Sequence, residues 1–245
     1  MKVIDAFWEK RNLGVDTVEF ELEAQDPAAL VAQKIKENEK VYNVVKIPAG
    51  RSDLHFLMQE LGYVYVETAF HLIHDLKAIP LSPLQKRMTD CVSYQKMNED
   101  DVAQLYAEIK KGMFTTDRIA LHPSFGVEIA NQRYINWIGD ELARGCELFK
   151  LIYKEKAIGF FTFKKLSDDV YYPFLAGMYE SHIRSGLGVN IVIKPVEEAV
   201  KRGAKFSDTY VVTNNLSSLT ANLDYGYKIR GFSTVFHKYK GEETC

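Results

Sequence analysis

The residues in this chain best suited to chemistry form one run, Ser181-His182-Ile183-Arg184-Ser185-Gly186-Leu187-Gly188-Val189. It follows a strand-like stretch, Tyr171 to Tyr179, and opens an amphipathic helix that continues to about Arg202. The first amides of a helix have no partner within it and point outward, so a glycine-bearing turn from strand to helix suits an anion. Gly186 and Gly188 let the backbone approach a phosphate and present a nest of N–H groups. Arg184 adds a positive charge. Taken alone, the G-x-G turn fits an ordinary strand-to-helix connection equally well.

The elements downstream narrow the reading. Strand-like Lys205 to Thr213 runs into Asn214-Asn215-Leu216-Ser217-Ser218-Leu219. A second helix ends at Asp224-Tyr225-Gly226-Tyr227, and a last strand spans about Lys228 to Tyr239. In this order the sequence resembles the GNAT superfamily of acyl-CoA N-acyltransferases. The CoA loop of that family reads Q/R-x-x-G-x-G/A, and its next segment reads N-x-x-A/S, then a helix, then G-F/Y. Gly186, Gly188, Asn215, Ser218, Gly226 and Tyr227 fall on that spacing, over about 90 residues.

The resemblance implies acetyl-CoA as acyl-donor cosubstrate and no metal. The pyrophosphate is expected on the loop Ile183, Arg184, Ser185, Gly186, Leu187, Gly188 and Val189. The strand carrying Ala176 and Met178 is expected to splay from its neighbour, so that the pantetheine arm adds to its edge as a pseudo-strand. An amide of that strand would polarise the thioester carbonyl. Asn215, Ser218 and Asn222 are expected along the cofactor.

Two positions depart from the family. Ile183 stands where Gln or Arg is usual, with Arg184 one place later. Asn222 stands where many members carry a tyrosine that protonates the departing thiolate, and an amide is no general acid. Tyr225 follows one helical turn on. Either it supplies the proton, or water does, or it is a packing residue before the glycine turn. Glu180, at the end of the preceding strand, is a candidate base or simply a loop carboxylate.

Composition bounds the rest. A hydrophobic share of 47% with 26% charged residues is that of an ordinary soluble globular protein. The formal net charge of −2 lacks the basic footprint of a nucleic-acid binder. No apolar run reaches membrane-spanning length, and the N-terminus lacks signal-peptide architecture, so a cytoplasmic setting is expected. Cys91, Cys146 and Cys245 are too dispersed for a disulfide framework or a metal site. His71 and His74 lie three apart on strand-like Tyr63 to Leu76 and so point to opposite faces.

The chain reads as two parts. Residues 1–78 read β-α-β-α-β, starting from the alternating strand Val15 to Leu22, with Asp26-Pro27 and Ser52 or Asp53 opening helices and Gly62 closing the second. Ala78-Ile79-Pro80-Leu81-Ser82-Pro83 reads as a linker. Residues 84–245 read in GNAT order: a strand Cys91 to Met97, a helix to about Lys111, an irregular stretch, and a long helix ending near Gly145. A meander then leads to the cofactor loop. The expected class is therefore α/β (α+β), a mixed and mostly antiparallel sheet flanked by helices, preceded by the smaller domain. Leu61-Gly62-Tyr63 and Tyr225-Gly226-Tyr227 hint that residues 1–78 copy half of the acyltransferase fold without its glycine loop.

Over nearly its full length the chain is similar to the two-domain TDP-fucosamine acetyltransferase type. That similarity rests on Phe7-Trp8, Leu13-Gly14-Val15, Leu61-Gly62-Tyr63, and Arg118, His122-Pro123, Tyr134 and Trp137. It implies that Arg118, His122 and Tyr134 line the acceptor site. The expected partner is a small-molecule amine, an amino-sugar nucleotide being favoured. A homodimer stays open; neither nucleic acid nor membrane is expected. The alternatives are an enzyme acylating an amino acid, peptide or protein amine, and a non-catalytic acyl-CoA-binding module.

Overall fold

A computed structural model describes residues 1–78 and 80–241; Cys245 lies outside the described residues. Local chemistry accounts for most of the elements. Val18 and Phe20 alternate with Thr17, Glu19 and Glu21, and this stretch forms a strand with its apolar side on the core. Asn98 and Asp101 close a capping box on one helix, and Ser82 with Gln85 does so on another.

In chain order the first elements are β1 (Lys2–Asp5), α1 (Trp8–Leu13), β2 (Thr17–Glu21), α2 (Ala28–Asn38), β3 (Tyr42–Pro48), α3 (Ser52–Glu60) and β4 (Val64–His74). Then follow α4 (Pro83–Asp90), β5 (Ser93–Lys96), α5 (Glu99–Lys110), α6 (Gly126–Ala143), β6 (Glu147–Tyr153) and β7 (Lys156–Lys165). The chain closes with β8 (Val170–Tyr172), β9 (Ala176–Met178), α7 (Asn190–Lys201), β10 (Phe206–Val212), α8 (Leu216–Asp224) and β11 (Lys228–Tyr239).

Three local expectations are corrected. The chain begins with an extra strand and helix, β1 and α1, ahead of the first strand expected at Val15 to Leu22. Pro83 does not merely break structure: Ser82 caps α4 and the proline takes its first turn, where the missing N–H costs nothing. The stretch expected as one strand to Tyr179 is two, because Pro173 interrupts it between β8 and β9.

All strands join one mixed sheet in the order β1-β2-β3-β11-β4-β10-β8-β7-β6-β5, with β9 also on β7. The last strand, β11, runs antiparallel to both β3 and β4 and lies between them. The segments β2-α2-β3-α3-β4 and β9-α7-β10-α8-β11 repeat one element order, and the closing strand of each lies beside the middle strand of the other. The sheet is thus continuous across the boundary expected near residues 78–84.

Helices α2 and α3 cover one face through Val31, Ile35, Leu54 and Met58, packed on Val18, Phe20, Val45 and Ile47. On the same face α7 and α8 bring Val192 and Leu219 against Leu72 and Val211. The opposite face is covered by α5 and α6, with Leu105, Ile109, Ile135 and Ile138 on Leu148 and Phe160. Burying each such side chain contributes roughly 1.5–3 kcal/mol, so both layers are firmly held. Among the described residues no helix is long and apolar enough to cross a membrane.

Candidate functional site

The sheet opens between β8 and β10. Strands β8 and β10 pair in parallel only at Val170 with Phe206 and Tyr171 with Ser207. Beyond Pro173 the chain stays on β7 as β9, with Ala176, Gly177 and Met178 opposite Phe161, Phe160 and Gly159. Strand β10 meanwhile continues along β4 to Val212. The two arms form a fork. At its apex the Thr209 hydroxyl donates to the Pro173 carbonyl at 2.9 Å.

The backbone of β9 is arranged for an added strand. Leu175 accepts from the Thr162 N–H at 2.8 Å, and the Tyr179 N–H donates to Ile158 at 2.8 Å. These odd-numbered residues face β7, so alternation turns the N–H and C=O groups of Ala176 and Met178 toward the fork. An extended, amide-containing chain can pair with such an edge.

A cleft of about 1440 Å³ passes through the fork. On the α7 and α8 side Ile191, Val192, Asn215, Ser218 and Asn222 line it. Asn215 caps α8, its Oδ1 accepting from the Ser218 N–H at 3.2 Å, and Asn222 Nδ2 donates to the Ser218 carbonyl at 2.8 Å. The sequence placed these three together, and the fold brings them to one wall with Ala176.

The glycine loop stands apart from the lining of the cleft. A 3-10 turn, Glu180–His182, leads through Ile183, Arg184 and Ser185 to Gly186 at φ +78, then a second turn, Leu187–Val189, enters α7. Ile183 to Gly186 are exposed, while Leu187 is buried and donates its N–H to Ser185 Oγ at 3.2 Å. Helix α4 packs beside this loop: a Cβ on Gly186 would fall 2.5 Å from the Met88 methyl. Asn190 Nδ2 also donates to the Met88 carbonyl at 3.2 Å.

Three expected residues lie elsewhere. Tyr225 ends α8 and accepts from Gln85 Nε2 at 3.0 Å, facing a separate apolar groove beside Leu81 and Val196. Glu180 is exposed outside the cleft, with its charge near Lys111. His122 is buried in an aromatic cluster with Tyr42, Phe125, His237 and Tyr239, its Nδ1 accepting from the Ser124 N–H at 3.0 Å. In the first case Tyr225 is the residue that caps the C-terminus of α8, and its hydroxyl is held by Gln85 of α4 rather than reaching the wall that Asn222 lines.

On the α6 side the cleft opens on a chamber that contains Arg118 and Tyr134, together with Trp137 and Phe174, whose ring centroids lie 4.7 Å apart at a tilt of 40°. Arg118 bonds Glu19 at 3.2 Å and lies 3.7 Å from Glu67. Lys46 reaches Glu19 at 2.8 Å and Glu21 at 3.3 Å. Burial opposes the charge on Glu19, but Lys46 and Arg118 outweigh it and hold its carboxyl down at about 2. Burial pushes Glu67 up; Arg118 opposes this and Asp117 adds to it. Burial likewise raises the Tyr134 phenol. Arg133 clamps Glu9 from two nitrogens at 2.6 and 2.8 Å.

The sequence missed one cluster at the fork. His71 on β4 bonds both carboxylate oxygens of Asp208 on β10, at 2.7 and 2.8 Å, and stacks on Tyr210 at 4.6 Å. His71, Tyr210 and Tyr172 line the cleft. No local signal links residues 137 positions apart; only the β4–β10 pairing joins them. Among the described residues no group of three or more His, Cys, Asp or Glu side chains could hold a metal.

No family profile matches the sequence, and no curated protein matches it. Solved structures do. A GCN5-related N-acetyltransferase from Sphaerobacter thermophilus superposes with a TM-score of 0.67 at 12% identity, covering 98% of this chain and 76% of that one. A tandem GNAT protein from the clavulanic acid biosynthesis pathway gives 0.58 at 11% identity, over 92% and 76%. A GCN5-related N-acetyltransferase from Kribbella flavida gives 0.56 at 12%, over 94% and 83%. The chain has the GNAT fold.

Proposed function

We propose that the protein is an N-acetyltransferase that moves the acetyl group of acetyl-CoA to a primary amine of a small molecule. The observation that carries this reading is the fork between β9 and β10, which leaves the edge of Ala176 and Met178 open on a cleft running through the sheet. These residues fit the cosubstrate: the strand edge suits the amides of a pantetheine arm, and the glycine-bearing loop before α7 suits its pyrophosphate. Bound there, acetyl-CoA supplies an activated acyl group.

The chain's own residues do the rest. The Ala176 and Met178 amides orient the arm and present N–H groups to a carbonyl as it gains negative charge. Asn215, Ser218 and Asn222 form the wall behind it. The amine enters from the chamber side, between the aromatic rings of Tyr134, Trp137 and Phe174. That wall suits a flat or ring-bearing acceptor, and we propose amino-sugar nucleotides as its class, the charges of Arg118 and Arg133 being engaged by Glu19 and Glu9.

The test is thioester turnover with acetyl-CoA against TDP- and UDP-linked amino sugars, amino acids, peptides and polyamines. Turnover of an amino-sugar nucleotide supports the whole reading. Turnover confined to amino acids or peptides keeps the enzyme and discards the acceptor class. Binding of acetyl-CoA with no turnover of any amine would overturn the catalytic reading.

A further inference from the structure

We infer that His71 is the base that takes the proton from the attacking amine, with Asp208 as its positioning partner; this rests on the acetyltransferase reading above. The pair sits where the fork begins. Asp208 is the first residue of β10 beyond its two pairings with β8, and His71 lies opposite Tyr210 on the neighbouring β4. Residues 208 and 210 are two apart, so Asp208, Tyr210 and the cross-strand His71 share one face of the sheet. That face is the chamber side, where His71 lines the cleft.

The tautomer follows from the partner. An ionised carboxylate only accepts, so the ring nitrogen facing Asp208 must carry the hydrogen. Nε2 is that nitrogen, at 2.7 and 2.8 Å from the two oxygens. Neutral His71 then keeps its lone pair on Nδ1. Among the described residues no hydrogen bond engages Nδ1. The parallel ring of Tyr210, 6° from coplanar, fixes the orientation of the imidazole.

The other groups at hand are poorer bases. Glu67 is pushed toward its protonated form by burial. Glu19 is tied to Lys46 and Arg118. Glu180 and Tyr225 lie outside the cleft, and buried His74 accepts from the Leu76 N–H at 2.8 Å.

In the step, the amine nitrogen bonds to the acetyl carbon and the carbon–sulfur bond breaks. The proton lost by nitrogen moves to Nδ1, and Asp208 stabilises the imidazolium. The thiolate leaves with the bonding pair and is protonated from water, while His71 returns its proton to solvent. No oxidant or further reactant is needed. The base therefore comes from the N-terminal segment and the cosubstrate edge from the C-terminal one.

The experiment uses the full-length protein, acetyl-CoA, and the best amine found in the acceptor panel. His71→Gln keeps a donor for Asp208 but cannot take a proton. It is expected to lower kcat by about 100-fold or more, with acetyl-CoA affinity by calorimetry within about twofold of wild type. His71→Ala with added imidazole should regain at least about tenfold of its lost rate, because the slot beside Tyr210 then admits a free base. Asp208→Asn should lower kcat by about tenfold with no rescue. A kcat for His71→Gln within threefold of wild type overturns the assignment, as does a loss that imidazole fails to restore. If wild type turns over no amine at all, the acetyltransferase reading falls first and the base with it.

Discussion

Among the described residues two strand pairs run parallel, β2 with β3 and β8 with β10, and they differ in how far they stay together. In the N-terminal segment β2 and β3 pair over five residues, from Thr17 with Tyr42 to Glu21 with Lys46, and the Leu22 N–H still reaches the Lys46 carbonyl at 3.0 Å. In the C-terminal segment the same arrangement pairs at two positions and then parts. Lys46 ties the first pair through Glu19 and Glu21. Pro173 ends the second, and Thr162 Oγ1 draws the Leu175 N–H to β7 at 2.8 Å. The connections differ too: Leu22-Glu23-Ala24-Gln25-Asp26-Pro27 carries two acids and no glycine, whereas 183–189 carries two glycines and an arginine. One topology therefore makes a strand edge available only where the parallel pairing stops.

The largest effect is expected in the closed pair. Glu19→Gln removes the charge that Lys46 and Arg118 share. The folded carboxyl lies near 2 against an ordinary value of 4.5. Because the folded value is depressed, the stabilisation is full above about 4.5 and is lost as pH falls through about 2. It is worth about 3 kcal/mol at neutral pH. Thermal melts at pH 7 should show that loss, with the gap between wild type and variant closing between pH 4.5 and 2. A constant gap would mean the ion pairs do not hold the pair shut.

At the open pair, Gly186→Glu places a side chain at φ +78 against Met88 and sets a negative charge on the glycine-bearing loop proposed for the pyrophosphate. Acetyl-CoA affinity should fall by about 100-fold or more by calorimetry, roughly 2.7 kcal/mol. Gln25→Glu, at the corresponding N-terminal connection, should leave it unchanged. Equal losses in both would erase the distinction between the two connections.

A smaller effect is expected at the apex. Thr209→Val removes the hydroxyl that bonds Pro173, at a cost of about 1 kcal/mol, and should lower Tm by about 2–4 °C. An unchanged Tm would show that Pro173 alone sets the fork. Least of all, Tyr225→Phe should change kcat by less than about threefold, since the phenol contacts Gln85 outside the cleft. A 100-fold loss with an unchanged melt would install Tyr225 as the acid that protonates the thiolate.

The sequence made the open pair more legible than the closed one. Gly186, Gly188, Asn215 and Ser218 act through backbone turns and caps, whose chemistry is local and so visible in spacing. The splay at Ala176 and Met178 was expected only from the family resemblance, and the break at Pro173 was read through as one strand. His122 and Tyr225 were misplaced because a residue's type does not tell which wall it faces. His71 with Asp208 and the lodging of β11 between β3 and β4 depend on long-range pairing, which no window of sequence reports. The short α1 was passed over because six residues carry too little periodicity.

The place of β11 also governs how the chain can be made. β3 (Tyr42–Pro48) and β4 (Val64–His74) are made long before β11 (Lys228–Tyr239), the strand that must hydrogen-bond both. Until then each presents a bare edge of the kind that recruits other chains. Contacts of such sequence separation form slowly and leave nascent chains open to aggregation. Synthesis of β11, rather than emergence of the N-terminal segment, is the event that lets either segment reach its final form.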